Sequence, residues 1–244
     1  RDKQPVSGSL KGIISPHAGY IYSGPVAAYG YSYLSEGMFD GFAIIAPSHR
    51  GRFNGASVMP EGFYATPLGN VEVDSSLAGK LLESENFGYL KEIDEMEHSL
   101  EVQLPFLQSV AGEFSIVPLV IGTTEPALCR KIGESLADVI QASGKKYCIV
   151  ISTDLSHYHS YERAVAMDRL FVDAVAAFDE KIITDVTRSG KAEACGEGAV
   201  LAGMAACRRL GAERVEILKY ANSGDTAGSK DQVVGYMSAI FLDS

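Results

Sequence analysis

The chain has 244 residues, of which 46% are apolar, and a formal net charge of −10. This composition is typical of a globular protein and excludes wholesale disorder. The acidic balance argues against nucleic acid or an anionic membrane as a partner, because both bind basic surfaces. The four cysteines form no CxxC pair. No apolar run reaches the length of a membrane span, and the first nine residues lack the apolar core of a signal peptide. We therefore expect a reduced, cytoplasmic protein.

Short apolar runs alternate with helical patterns along the chain. Strands are predicted at residues 12–14, 42–46, 114–121, 147–152, 215–220 and 233–241. Helices are predicted at residues 25–34, 75–82, 98–107, 125–142, 161–177 and 198–210. Residues 51–73 mix glycine, proline and β-forming residues, which favours a hairpin or a long loop.

Three prolines bear on these elements. We expect Pro25 at the first position of its helix, Pro105 to end or kink its helix, and Pro118 to place its strand at a sheet edge or at a local break. The alternation of strands and helices predicts one α/β domain over residues 1–244. Its sheet should be mostly parallel or mixed, with helices on both faces.

Four of the five histidines follow predicted strands. His17 follows the first strand, His49 the second, and His157 and His159 the strand at 147–152. Ligands of open α/β sheets bind at the carboxyl ends of the strands. If these strands are adjacent and parallel, His17, His49 and His157 share one crevice, whereas His159 is expected at the surface. A single loop histidine more often packs or caps, but a cluster of titratable groups indicates a site.

Neutral imidazole is the commonest metal ligand in proteins and also a general base near neutral pH. Two histidines and one anionic ligand form a three-ligand set that suits non-haem iron or catalytic zinc. The residues alone leave four candidates for the anionic ligand. These are Asp154, Glu97, Glu197 and Cys195.

Other polar residues near these positions have two interpretations each. His157 could take a proton from a substrate hydroxyl with the help of Asp154, or Asp154 could cap the following helix. Arg50, with Arg52 after it, could hold a carboxylate or phosphate of a substrate, or both could face water. The dense acid around Glu97 favours a solvated helix start, with Glu97 or His98 reaching the site as the alternative.

Six phrases of the sequence together resemble one protein family. They are PHAGY (16–20), PSH (47–49), EHSLEVQLPF (97–106), STDLSH (152–157), ACGEG (194–198) and YANSGD (220–225). Their order, from about residue 11 to 241, resembles the Memo family, which is related in fold to the class III extradiol dioxygenases of the protocatechuate 4,5-dioxygenase type. The resemblance implies that His17, His49 and Cys195 occupy metal-site positions and that Asp154 and His157 line the same cavity. It also implies that the segment before residue 16 is shortened.

The resemblance sets the expected function. Related dioxygenases have a carboxylate where this chain has Cys195, whose thiolate carries the same charge but is softer. We expect Fe(II) as the cofactor, with zinc or copper as alternatives. The first hypothesis is a metal-binding, redox-active protein which, if it is an enzyme, is a metal-dependent oxidoreductase of the dioxygenase type. The alternatives are a non-catalytic module that binds a peptide or partner protein, and a zinc hydrolase.

The expected ligand of the cleft is a small molecule or a peptide. Prokaryotic relatives in the Memo family occur in gene sets with a radical-SAM protein, so the resemblance also implies a partner in such a modification pathway. Neither nucleic acid nor a membrane is expected as a partner.

Overall fold

A computed structural model describes residues 6–244. Residues 1–5 lie outside it, so the start of the predicted domain at residue 1 stays a prediction. Within the described range, eleven strands form the sheet system. The strands are β1 Leu10–Ser15, β2 Gly41–Pro47, β3 Ala56–Val58, β4 Phe63–Thr66, β5 Gly69–Val73, β6 Phe87–Gly88, β7 Ser115–Ile121, β8 Tyr147–Ser152, β9 His157–His159, β10 Arg214–Asn222 and β11 Val233–Leu242.

The sheet is mixed, as the sequence predicts. Its order is β10-β11-β1-β8-β2-β7-β3-β6, with β4 paired to β5, β5 to β7 and β9 to β11. The four central strands β1, β8, β2 and β7 are parallel, while β11 runs antiparallel to β1 and β10. Every residue of β2 and β8 is buried, which is typical of parallel strands covered on both faces. The carboxyl ends of β1, β8 and β2 therefore lie side by side at one edge.

Helices cover both faces of this sheet. They are α1 Tyr20–Tyr31, α2 Ser75–Leu81, α3 Lys91–Glu95, α4 Leu104–Val110, α5 Pro126–Ser143, α6 Tyr161–Ala176, α7 Glu180–Arg188, α8 Glu197–Arg209 and α9 Ser223–Thr226. Gly12 of β1 faces Cys207 of α8, and the next residue, Ile13, faces Gly30 of α1. Because successive strand residues point to opposite faces, α8 and α1 lie on opposite sides of the sheet. No helix in this part of the chain is long and apolar enough to cross a membrane.

The prediction that Pro118 marks a sheet edge or a break is wrong. Strand β7 is continuous and pairs with β2 over its whole length. On its other side β5 pairs with residues 115 and 116, and β3 pairs with residues 119 to 121. Pro118 lies in the gap between these two partner strands. Proline has no backbone N–H, but no strand is paired at this point on that side, so no hydrogen bond of the sheet is lost.

Two helix boundaries also differ from the prediction. Helix α1 begins at Tyr20, so Pro25 lies inside it rather than at its first position. Pro25 is exposed. Because proline has no N–H, the helix carbonyl four residues before it has no helical donor, but this side of the helix faces solvent and water can bind that carbonyl. Pro105 lies in the first turn of α4 and starts that helix instead of ending one, because a first-turn N–H has no helical acceptor. Residues 51–73 contain β3 and the β4–β5 hairpin, as expected.

Candidate metal centre

The edge of the sheet brings three side chains together. His17 lies two residues beyond β1 and His49 two residues beyond β2, with their ring centroids 5.3 Å apart. Cys195 lies in the loop before α8, and its Sγ is 3.2 Å from His17 Nε2. One donor atom from each of His17, His49 and Cys195 lies within 4.8 Å of the others. We call these three residues the donor group.

Backbone contacts fix the position of Cys195. The Asp154 N–H donates to Cys195 Sγ (3.3 Å), and the Cys195 N–H donates to the Asp154 carbonyl (3.2 Å). The Gly196 N–H donates to Thr153 Oγ1 (3.1 Å). A Cβ on Gly196 would lie 2.5 Å from the Ser152 carbonyl oxygen, so only glycine permits this approach. The loop before α8 is therefore joined to the end of β8.

The tautomer of His17 follows from its hydrogen bonds. The Ser152 hydroxyl donates its one proton to the Ser99 carbonyl (2.7 Å) and accepts a hydrogen bond from Gln103 Nε2 (2.8 Å). Its contact with His17 Nδ1 (2.8 Å) must then have His17 as the donor. The His17 proton is on Nδ1, and the Nε2 lone pair faces Cys195.

A polar chain in the core holds Ser152 in this role. Gln103 Nε2 also donates to the Pro16 carbonyl (3.1 Å), and Gln103 Oε1 accepts from the Tyr31 hydroxyl (2.6 Å). Ser152, Gln103 and Tyr31 are buried. None of the three was predicted as a site residue, although Gln103 and Ser152 lie inside the EHSLEVQLPF and STDLSH phrases.

Glu97 supports His49 in the corresponding way. Its Oε1 accepts from His49 Nδ1 (2.9 Å) and from the backbone N–H groups of His98 and Ser99, and its Oε2 accepts from the His49 N–H (2.6 Å). Burial opposes ionisation of this carboxyl, but the hydrogen bonds from His49 and Ser99 outweigh it and hold the pKa of Glu97 well below its usual range. The anionic carboxylate keeps the His49 proton on Nδ1 and leaves Nε2 free as a ligand.

His98 belongs to the same cluster of rings. It stacks on His49 with centroids 5.0 Å apart and lies 5.7 Å from His17. His49, Glu97 and His98 also have donor atoms within 4.8 Å of one another, but Glu97 already accepts several hydrogen bonds and acts as a support. The expectation of a solvated helix start is wrong for Glu97, which is 5% exposed.

Two other acidic candidates have different partners. Asp154 is buried, and its Oδ1 accepts from the His17 N–H (2.8 Å), while Oδ2 lies 3.9 Å from His17 Nε2. The alternative that Asp154 caps the next helix is wrong, because Ser160 precedes α6. Glu197 accepts from the Thr187 hydroxyl (2.7 Å) and is not part of the donor group.

The remaining predicted histidines lie on β9. His157 is opposite Val234, and its ring contacts Tyr158. Among residues 6–244, no hydrogen bond joins His157 to the donor group. His159 Nε2 lies 3.0 Å from Glu193 Oε2.

The two arginines of the loop after β2 have different surroundings. Arg50 is exposed, and its Nε donates to the Met96 carbonyl (2.9 Å). Arg52 lines a cavity of about 590 Å³ that Cys195 also lines.

His17 is in the protonation state that a metal binds, whereas the Cys195 thiol must first lose its proton. Burial lowers the pKa of His17 to about 4, and the neighbouring His49 and His98 contribute in the same direction. Burial raises the pKa of the Cys195 thiol to about 12, with the Asp154 carboxylate adding to the effect. Without metal the site thus holds a neutral imidazole and a thiol. A bound metal would displace the thiol proton, because the thiolate is the ligand form.

The burial of His17 predicts a pH effect on stability. In the metal-free protein, the unfolded chain takes up a proton at His17 as the pH falls below 6.5, whereas the folded chain does so only near 4. Stability is therefore lost as the pH falls through this window, by about 3 kcal/mol. Denaturant unfolding with a chelator at several pH values measures this loss, and His17→Gln should reduce it. Protonation of the folded His17 ring near pH 6.5 in an NMR titration would contradict the prediction.

Comparison with known proteins gives a consistent group of relatives. A profile of the family described as Memo-like protein matches residues 2–240. A MEMO1 family protein of Methanothermobacter thermautotrophicus is 40% identical over 237 residues, covering 95% of this chain and 86% of that protein. A MEMO1 family protein of Methanosarcina mazei is 41% identical over 234 residues, covering 94% of this chain and 85% of that protein.

A solved structure supports the fold. The crystal structure of the uncharacterized protein JW3007 from Escherichia coli K12 superposes with a TM-score of 0.59, covering 94% of this chain and 99% of that chain. At 14% sequence identity this likeness concerns the fold alone.

Proposed function

Because the chain belongs to the Memo-like protein family, we propose that it binds one transition metal through His17, His49 and Cys195. The observation that carries this proposal is the orientation of the two imidazoles. Ser152 holds the proton of His17 on Nδ1 and Glu97 holds that of His49 on Nδ1, so both Nε2 lone pairs are available beside the Cys195 sulfur. Such supporting hydrogen bonds are a usual feature of histidine ligands.

Fe(II) is the metal we propose first, with zinc and copper as alternatives. Two imidazoles and one thiolate give the same ligand charge as two histidines and a carboxylate. The sulfur shifts the preference toward zinc, Cu(I) or sulfur-bound iron. A redox-active metal here would supply Lewis acidity and access to oxidation and reduction.

The activity we propose is oxidation of a small hydroxylated substrate by dioxygen. His157 would take a proton from the substrate hydroxyl with the help of Asp154, whose Oδ2 lies 3.9 Å from His17 Nε2. Arg50 is proposed to bind the substrate at the His49 side. A radical-SAM partner is proposed to act in the same pathway.

Metal analysis of protein purified anaerobically tests the proposal. We expect about one metal ion per chain, and a loss of most of it in His17→Ala, His49→Ala and Cys195→Ala. His159→Ala is the matched control, because His159 contacts Glu193 outside the donor group, and it should keep its metal. Equal metal content in all four variants would overturn the metal proposal.

Oxygen uptake with catechols then tests oxidation, and zinc content without oxygen uptake would favour the hydrolase. Capture of a peptide or partner without metal or turnover would favour the binding module.

A further inference from the structure

A cavity opens beside the donor group, and Cys195 lines part of its wall. It has a volume of about 590 Å³ and lies between the loop after β2, the loop after β7 and the start of α8. This size is in the range of small-molecule sites. Arg52, Arg188, Ser48 and Thr123 give it polar groups, and Phe53 and Ile121 give it an apolar wall.

Two arginine side chains supply positive charge to this cavity. In residues 6–244, neither Arg52 nor Arg188 has an ion pair within 4 Å, whereas Arg130 and Arg208 both bind the Glu180 carboxylate. Unpaired guanidinium groups that share a cavity are suited to a carboxylate or phosphate. They are notable in a chain of net charge −10.

The two carboxylates near the cavity, Glu125 and Glu197, already accept hydrogen bonds from other groups. Glu125 lines the cavity, but its Oε2 accepts from the Leu128 N–H (2.7 Å) at the start of α5. Glu197 accepts from the Thr187 hydroxyl. Burial raises the pKa of Glu197, and the charge of Arg188 opposes this rise only in part. Neither carboxylate forms an ion pair that would occupy an arginine of the cavity.

A buried hydroxyl in the cavity wall lacks a partner. Ser48 Oγ has no hydrogen bond within residues 6–244 although the atom is buried. Buried polar atoms are rarely left unpaired, because they have lost their hydration without compensation. Because this oxygen has almost no exposed surface, a ligand oxygen could pair with it only after the Ser48 side chain turns toward the cavity.

The loop that carries Arg52 is held in place. The Ser48 N–H donates to the Ile121 carbonyl (2.9 Å), and the Phe53 N–H donates to the Gly122 carbonyl (3.0 Å). The Phe53 ring lies against Gly122, where a Cβ would be 2.4 Å from it. The cavity is thus built before a ligand arrives, which lowers the entropic cost of binding.

We infer that this cavity binds an organic anion, whose carboxylate or phosphate lies between Arg52 and Arg188 and whose apolar body packs on Phe53. The inference deepens the proposed function by giving the chemical class of its substrate. It rests on that function for the reaction, but the binding itself needs no metal.

Calorimetric titration of the full chain tests the inference, with a chelator present and again after metal loading. The probes are benzoate, phenyl phosphate and the neutral benzamide. We expect the anions to bind more tightly than benzamide, and the stronger of the two identifies the head group. Arg52→Met and Arg188→Met should each weaken anion binding by about tenfold or more, while keeping the apolar stem of the side chain. Arg169→Met removes the same charge from an exposed pair with Asp173 and should bind like the wild type.

Two results would overturn the inference. They are equal binding of benzoate and benzamide, and unchanged anion binding in both cavity variants. The melting temperature of each variant verifies that it is folded. If the anion binds as expected but the chain holds no metal, the proposed function fails while the inferred cavity ligand stands. If the chain holds metal normally but does not bind the anion, the inferred cavity ligand fails while the metal proposal stands.

Discussion

Replacing Glu97 by glutamine is expected to lower metal affinity by about 10- to 100-fold and the free energy of unfolding by about 2 kcal/mol. The carboxylate accepts hydrogen bonds at both oxygens, from His49 Nδ1 at Oε1 and from the His49 N–H at Oε2. A glutamine would place an NH2 group against one of these donors. Either the His49 ring would lose the acceptor that keeps its proton on Nδ1, or the His49 backbone N–H would lose its partner, and both changes disturb the position of the ring. Competition with a metal chelator measures the affinity, and denaturant unfolding of metal-free protein measures the stability.

The stability effect of Glu97→Gln should depend on pH. Because the pKa of Glu97 is lowered from 4.5 in the folded protein, its contribution to stability is present above pH 4.5. As the pH falls further, the unfolded chain binds the proton first, so the contribution decreases. The difference between wild type and variant should therefore be smaller at pH 3.5 than at pH 7. Glu95→Gln is the control, since within residues 6–244 Glu95 forms only an exposed pair with Lys91, and it should change stability by less than about 1 kcal/mol. Unchanged metal affinity in Glu97→Gln would contradict the supporting role of Glu97.

The sequence was enough to group His17 and His49, because both follow buried strands and parallel strand ends share one edge. It was not enough for the order of those strands. β8 lies between β1 and β2, and this order places Ser152 behind the His17 ring. A serine at a strand end has no signature by itself, and its role depends on Ser99 and Gln103 from a distant segment.

The choice of the third proposed ligand shows a different limit of the sequence. From residue types alone, Asp154, Glu97, Glu197 and Cys195 were all anionic candidates. The family resemblance favoured the cysteine, and so did the polar residues around Cys195, because reactive cysteines tend to lie in polar, partly exposed surroundings. The structure separates them by contact: Cys195 meets His17 Nε2, Glu97 supports His49, and Glu197 bonds Thr187. These distinctions arise from tertiary packing around the loop before α8, which no local pattern encodes. Pro118 was misjudged for the same reason, since a gap between partner strands is a tertiary feature.

The two supports give the histidines different electronic character. His17 donates to a neutral hydroxyl, whereas His49 donates to a carboxylate. Hydrogen bonding to a carboxylate makes an imidazole a more basic ligand. We therefore expect His49 to be the stronger nitrogen donor of the donor group, and Cys195 to decide which metal is preferred.

Cys195→Asp is expected to remove the pH dependence of metal affinity and to change metal preference. In the wild type the pKa of the Cys195 thiol is about 12, so metal binding must release its proton, and affinity should rise about tenfold per unit between about pH 7.5 and 9. An introduced carboxylate is already ionised there, which removes this slope and favours harder ions over Cu(I) and zinc. Chelator competition at several pH values measures both effects. Cys148→Ala removes another buried thiol and should keep the slope. A slope that persists in Cys195→Asp would mean that the released proton comes from another group and that Cys195 is not the metal-bound thiolate.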